Sequence, residues 1–73
     1  MDPVVSSALA GATARNWDEL KLVLHPYLHW SDRDGVNLRG RTKVLRWLAG
    51  RQAPLEPPER VEIRDGQIYR WIA

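Results

Sequence analysis

A short amphipathic helix passes directly into an aromatic strand between Asn16 and Asp32, and this junction restricts the possible folds more than any other stretch. Asn16 precedes the helix as a candidate N-cap, and Glu19 stands three positions later, which is the spacing of a capping box. Apolar residues then recur at steps of three and four, which predicts one buried helix face formed by Trp17, Leu20 and Leu24. Trp17 is expected to be a buried anchor of this helix.

Pro26 is expected to end this helix, because proline lacks the backbone N–H and disfavours helical geometry in the residue before it. His25 is therefore predicted to close the helix, near its exposed carbonyl groups. The strand follows at Tyr27 and runs to Trp30. Asp32 comes next, at the start of a turn cluster that ends with Gly35.

Two further helices and a hairpin are predicted on either side of this junction. Asp2 and Pro3 form a favourable start for a first helix. A later helix has one apolar face, formed by Val44, Leu45 and Leu48. Near the end of the chain, Asp65 and Gly66 lie between two alternating segments, which is the strongest sequence signal for a two-residue hairpin. Strict alternation places Tyr69 and Trp71 on the same face of the last strand.

The order of these segments resembles the NTF2-like superfamily, and in particular the small SnoaL-like proteins common in actinobacteria. The resemblance rests on four segments, which are NWDEL (16–20), LHPYLHW (24–30), LRGRTKVLRWL (38–48) and RDGQIYRWI (64–72). They follow the family's order of short helix, strand, helix and closing hairpin. The resemblance spans roughly residues 4 to 73.

The fold expected from the elements and from this resemblance is α+β, with three helices packed on a short curved antiparallel sheet of about three strands. Residues 1–73 would form one domain, a shortened NTF2-like (cystatin-like) cone. Full-length relatives carry a further strand pair before the closing hairpin, whereas this chain has the proline-rich connector 53–59. A chain of 73 residues buries a limited core, so a partner is expected to contribute.

Composition excludes several classes of site. The chain has no cysteine, so it offers neither a disulfide framework nor a thiolate metal site, and a cytoplasmic location is the natural expectation. No apolar stretch approaches the roughly 20 residues of a membrane span, and the N-terminus is not that of a signal peptide. His25 and His29 have no convincing third ligand nearby, so no metal is expected. The sequence has neither a Walker loop nor a glycine-rich dinucleotide fingerprint, so no other cofactor is expected.

The resemblance suggests one catalytic candidate. In the ketosteroid isomerases of this superfamily, an aspartate near the end of the first strand is the general base, and Asp32 occupies the matching place. Leu28, Trp30 and Asp32 share one strand face, where apolar walls could make the carboxylate a usable base. The alternative is that Asp32 only opens the turn. The position of the isomerases' helix 1 tyrosine falls near Ala8, so the usual oxyanion partner is missing.

The aromatic side chains leave two main interpretations open. In the first, the chain is a small-molecule-binding protein that assists metabolite tailoring, with a shallow pocket for an apolar or aromatic compound lined by Leu28, Trp30, Trp47 and Tyr69. In the second, it is a non-enzymatic accessory module that forms a homodimer through the outer sheet face, with Tyr27, His29, Tyr69 and Trp71 in the interface.

Nucleic-acid binding is a third interpretation. It would use the basic side chains Arg39, Arg41, Lys43, Arg46 and Arg51. The net charge is +2, but the eleven basic and nine acidic side chains are interleaved along the chain. A nucleic-acid-binding protein usually concentrates its positive charge in one stripe or tail. The charge pattern therefore argues against this interpretation.

Overall fold

The computed structural model describes residues 2–73, which form three helices and four strands. In chain order these are α1 (Pro3–Thr13), α2 (Trp17–Val23), β1 (Leu24–Ser31), β2 (Asn37–Arg39), α3 (Arg41–Gly50), β3 (Arg60–Arg64) and β4 (Gln67–Ile72). The three helices pack on one face of the sheet. We call the opposite face, which the helices leave uncovered, the outer face.

The sheet has the strand order β2-β1-β4-β3, with a parallel central pair and antiparallel edge pairs. The expected α+β arrangement of three helices on a sheet is confirmed. The expectation of about three antiparallel strands is wrong in two respects, because β1 and β4 run parallel and a fourth strand, β2, lies at the edge. β2 has three residues, too few to show a hydrophobic alternation in the sequence.

Both predicted N-caps are present. The Asp2 carboxylate accepts a hydrogen bond from the backbone N–H of Val4, at 2.8 Å, and Pro3 occupies the first position of α1. The Asn16 side chain accepts one from the N–H of Glu19, at 3.3 Å. Each cap satisfies one of the backbone donors that a helix leaves unpaired in its first turn. The starts of both helices were therefore readable from local sequence.

The end of α2 differs from the expectation. The helix stops at Val23, and Leu24 already has extended backbone angles, with φ −104° and ψ 128°. His25 and Pro26 therefore belong to β1 and do not close the helix. Proline disfavours helical geometry in the residue before it, which here is His25, so the strand begins before Pro26. Leu24 is fully buried beside Ile68 of β4.

The core lies between the helices and the sheet. Its largest buried side chains are Trp30 and Trp71, whose rings stack in parallel with centroids 4.7 Å apart and planes 6° apart. Trp47 of α3 meets Trp30 edge to face, with centroids 6.2 Å apart. The other buried apolar residues are Val5, Ala8, Leu20, Leu24, Leu28, Val44, Leu48 and Ile68.

A β-bulge at Tyr69 changes which face the end of β4 presents. Ile68 pairs with Ile63 and Arg70 pairs with Glu62, so Tyr69 is an extra residue between two consecutive pairs. Trp71 is consequently 1% exposed in the core, and its predicted place on the outer face is wrong. Strict alternation fails at this point because the bulge inserts one residue into the period of two.

β1 is also irregular, around Pro26. In its pairing with β4, Leu24 lies opposite Ile68 and His29 lies opposite Arg70. Between these two pairs, β1 contains more residues than β4. Proline cannot donate a hydrogen bond to the ladder and is usually found at such irregularities. The side chain of Tyr27, next to Pro26, is 75% exposed.

Trp17 is half-buried and packs at the edge of the core, so it is not the fully buried anchor expected of it. The guanidinium of Arg15 lies over its ring, 5.1 Å from the centroid. Arg15 also donates to the carbonyl of Ala49, at 2.7 Å, near the end of α3. This arginine therefore joins the α1–α2 connection to the last turn of α3, where a cation also complements the helix dipole.

The different burial of Trp71 and Trp17 leads to a test. We expect Trp71→Ala to lower the free energy of unfolding by about 3 to 5 kcal/mol, because it removes a fully buried indole and leaves a cavity. We expect Trp17→Ala to cost less, because that ring is partly solvated in the native state. Urea denaturation of both variants, with Trp71→Phe as a milder core substitution, measures the order. An equal or larger loss for Trp17→Ala would contradict it.

Candidate functional site

Asp32 lies in the turn directly after β1. Its backbone N–H donates to the carbonyl of Val36 at 2.8 Å, and its carbonyl accepts from the N–H of Gly35 at 3.2 Å. Its carboxylate lies 3.6 Å from the guanidinium of Arg51, and the Asp32 side chain is only 11% exposed. The residue therefore opens the turn and also forms a partly buried ion pair.

A cleft of about 190 Å³ opens beside this ion pair, which we call the Asp32 cleft. It is lined by Asp32 and Arg51, by Pro54 and Leu55 of the connector, and by an edge of Trp71. Neither tyrosine of the chain lines it. A general base in this position would lack a tyrosine to stabilise an oxyanion, and its carboxylate already faces a cation.

The four predicted pocket residues are divided between the two faces of the sheet. Leu28 and Trp30 are 0% and 2% exposed in the core, and Trp47 packs against Trp30 from α3. Tyr69 lies on the outer face, beside His25 and His29. The structure therefore brings three of the four together inside the core and separates Tyr69 from them. The indole N–H of Trp30 has no hydrogen-bond acceptor among residues 2–73.

A larger depression lies on the outer face, which we call the outer groove. It measures about 400 Å³ and is lined by Tyr27, His29, Arg39, Gly40 and Tyr69. Small-molecule sites in proteins usually range from about 300 to 1,000 Å³. The outer groove reaches that range, whereas the Asp32 cleft does not.

Tyr69 is the centre of an aromatic cluster in this groove. Its ring meets those of His25 and His29 edge to face, with centroid distances of 5.0 and 5.4 Å. The backbone N–H of Tyr27 donates to Nδ1 of His25 at 3.1 Å, which fixes the orientation of that imidazole. The guanidinium of Arg64 covers the Tyr69 ring at 4.1 Å from its centroid. The contacts on several sides hold Tyr69 in place.

The histidine in the groove is held in its neutral form. Nε of Arg39 donates to Nδ1 of His29 at 3.4 Å, and this contact requires an unprotonated nitrogen. Partial burial lowers the pKa of His29 below its usual value, and the guanidinium groups of Arg39 and Arg70 lower it further. Glu62 opposes this shift but does not reverse it.

Sequence reasoning placed Tyr27, His29 and Tyr69 on the outer face as an interface but did not assign Arg39 or Gly40 to the same place. Gly40 has a φ of 92°, which favours glycine, and it is the N-cap of α3. The elements predicted from the sequence do not include β2, which carries Arg39 alongside His29. β2 follows β1 directly after the turn at Asp32, but its three residues are too few to show an alternation.

The basic residues of the nucleic-acid interpretation do not form one patch. Arg39 lines the outer groove, whereas Arg51 lies in the Asp32 cleft and its guanidinium covers the Trp47 ring at 4.7 Å. Among residues 2–73, no group of three or more His, Cys, Asp or Glu side chains is placed to hold a metal ion. In the same part of the chain, no helix has the length and apolarity needed to span a membrane.

The fold is NTF2-like. A solved structure with the same architecture is a protein of Kribbella flavida described as a "putative ketosteroid isomerase", with a TM-score of 0.74 and 14% sequence identity. The match covers 92% of this chain and 70% of the other. No protein-family model and no curated protein matches the sequence. The structural likeness confirms the NTF2-like fold expected from the sequence motifs.

The lowered pKa of His29 predicts a pH dependence of stability. The unfolded chain binds a proton near pH 6.5, whereas folded His29 resists protonation, so the unfolded state takes up more protons over this interval. We expect the free energy of unfolding to decrease as the pH falls from about 7.5 to about 5.5. His29→Gln should show a smaller decrease. Urea denaturation across this range measures both proteins, and identical pH profiles would contradict the assignment.

Proposed function

We propose that this chain is a small-molecule-binding protein whose ligand lies in the outer groove. The main support for this proposal is that two tyrosine side chains line a depression of suitable size. Tyr27 is 75% exposed beside Tyr69, in a groove of about 400 Å³. Flat aromatic side chains held in this manner suit a planar apolar or aromatic compound.

The packed interior supports the outer face as the place of binding. The space between sheet and helices is occupied by the Trp30–Trp71 stack, with Leu28 and Leu48 fully or almost fully buried around it. A ligand inside would have to displace these side chains, and such repacking of a dense core is costly.

The position of Asp32 supports binding more than catalysis. Its carboxylate lies in the Asp32 cleft, lined by Trp71 and the connector, whereas the outer groove is lined by Tyr27 and Tyr69. A proton can be transferred only when base and substrate are within hydrogen-bond reach. A ligand in the outer groove would not meet this carboxylate.

The exposure of Tyr27 also favours a second candidate, a homodimerising accessory module. Tyrosine and arginine are enriched in protein interfaces, and Tyr27, His29 and Tyr69 lie together on the uncovered face of a small sheet. A standard interface of about 800 Å² per partner would cover this surface. Trp71 is not available for such a contact, because it is buried in the core.

Ligand titration with two tyrosine variants tests the first candidate. We expect bicyclic aromatic compounds of naphthalene size to shift the amide NMR signals of the outer groove. Tyr69→Ala should weaken binding, because it removes the central ring of the groove, whereas Tyr27→Phe should retain it, because the flat ring remains. Shifts confined to the Asp32 cleft, or no binding across the panel, would overturn the proposal.

Sedimentation equilibrium of the ligand-free protein separates the two candidates. If the outer groove binds a small molecule, we expect a monomer of 8.4 kDa at micromolar concentration, with the groove accessible to ligand. A stable dimer that Tyr27→Arg converts to a monomer would instead place a second copy over the groove.

A further inference from the structure

The outer groove has one cation that the protein itself leaves without a counter-ion. Among residues 2–73, no carboxylate lies within ion-pair distance of Arg39, and the only hydrogen bond of its side chain is the contact of Nε with His29. This contact uses one of five guanidinium N–H groups. The terminal nitrogens of Arg39 therefore remain available to an external acceptor.

The neighbouring arginines differ from Arg39 in this respect. Arg64 contacts Glu62 at 2.8 Å, and Arg70 contacts the same carboxylate at 3.5 Å. Glu62 therefore neutralises one of these two charges and leaves none for Arg39. The local charge balance is three guanidinium groups, those of Arg39, Arg64 and Arg70, against one carboxylate. This region of the outer face has a net positive charge.

Gly40 adds to the positive potential of the groove. It is the N-cap of α3, a helix of ten residues, and it provides no side chain to cap the first turn. The N-terminal end of a helix carries a partial positive charge. No acidic side chain lines the groove to compensate for it. The groove thus combines an aromatic wall with a single positive end formed by Arg39 and Gly40.

We propose that the outer groove binds a planar aromatic carboxylate, with the ring against Tyr27 and Tyr69 and the carboxylate on the guanidinium of Arg39. This inference rests on the proposed function and names its ligand class. A guanidinium donates two parallel hydrogen bonds to a carboxylate, and aromatic side chains pack against the flat ring of the same molecule. A second copy of the chain fits the groove less well, because a two-fold contact would bring like-charged arginines into one interface.

Paired ligands that differ only in charge test the ligand class. We expect 2-naphthoate to bind the wild-type protein roughly tenfold to a hundredfold more tightly than 2-naphthamide, because the amide loses a charge-assisted contact with Arg39. Arg39→Gln should abolish this preference, because it should weaken the binding of 2-naphthoate far more than that of 2-naphthamide. Isothermal titration calorimetry measures all four affinities, and amide NMR spectra confirm that the variant is folded.

Arg46→Gln is the matched control. Arg46 is exposed on α3, does not line the groove, and its substitution changes the net charge by the same amount. It should keep the preference for 2-naphthoate. Equal binding of 2-naphthamide to the wild type, or an equal loss in Arg46→Gln, would overturn the carboxylate inference but not the groove itself. Failure of both ligands to bind would overturn the inference and the proposed function together.

The pKa of His29 distinguishes a carboxylate bound at Arg39 from a general attraction of anions to the protein. A carboxylate on Arg39 offsets the positive field of Arg39, Arg70 and Arg64 at His29 and acts in the same direction as Glu62. We therefore expect saturating 2-naphthoate to raise the NMR-measured pKa of His29, whereas 2-naphthamide should not. An unchanged pKa of His29 with bound 2-naphthoate would contradict contact with Arg39.

Discussion

The stacking of Trp30 on Trp71 is the interaction on which the rest of the structure depends. The two residues are paired neighbours on the parallel central strands, and their rings lie 4.7 Å apart on the helix-covered face. They fill the space between the sheet and the helices. For a chain of 73 residues this burial is a large part of the available core, since small domains bury a smaller fraction of their surface. The closed interior follows directly from this stack.

The stack requires the bulge at Tyr69, and the bulge in turn creates the outer groove. Without the extra residue, Tyr69 and Trp71 would lie on the same face, and either the core would lose an indole or the groove would lose its central ring. On β1 the ordinary alternation of a strand is sufficient, because the adjacent residues Tyr27 and Leu28 are exposed and buried in turn. The bulge at Tyr69 thus lets β4 place Trp71 in the core and Tyr69 on the outer face.

Local signals in the sequence predicted much of the fold. Asp2 and Asn16 act within a turn of their own helices, and the Asp65–Gly66 turn has positive φ angles of 53° and 74°, as its dipeptide predicts. The order of motifs predicted the NTF2-like arrangement. β2 has too few residues to show an alternation, and the bulge interrupts a hairpin whose alternation otherwise looks regular. The parallel pairing of β1 with β4 was not predictable, because it joins segments distant in sequence. The same holds for the candidate site, since Arg51 reaches Asp32 and Arg39 reaches His29 only after folding.

Distances between aromatic rings test the central claim most directly, which is that Tyr69 and Trp71 face opposite sides of the sheet. Nuclear Overhauser spectra of the protein in solution measure them. The structure predicts cross-peaks between the Tyr69 ring and the rings of His25 and His29, at centroid distances of 5.0 and 5.4 Å, and between Trp71 and Trp30 at 4.7 Å. Cross-peaks from Trp71 to His29, with none from Trp71 to Trp30, would show that β4 continues without a bulge and would contradict the account.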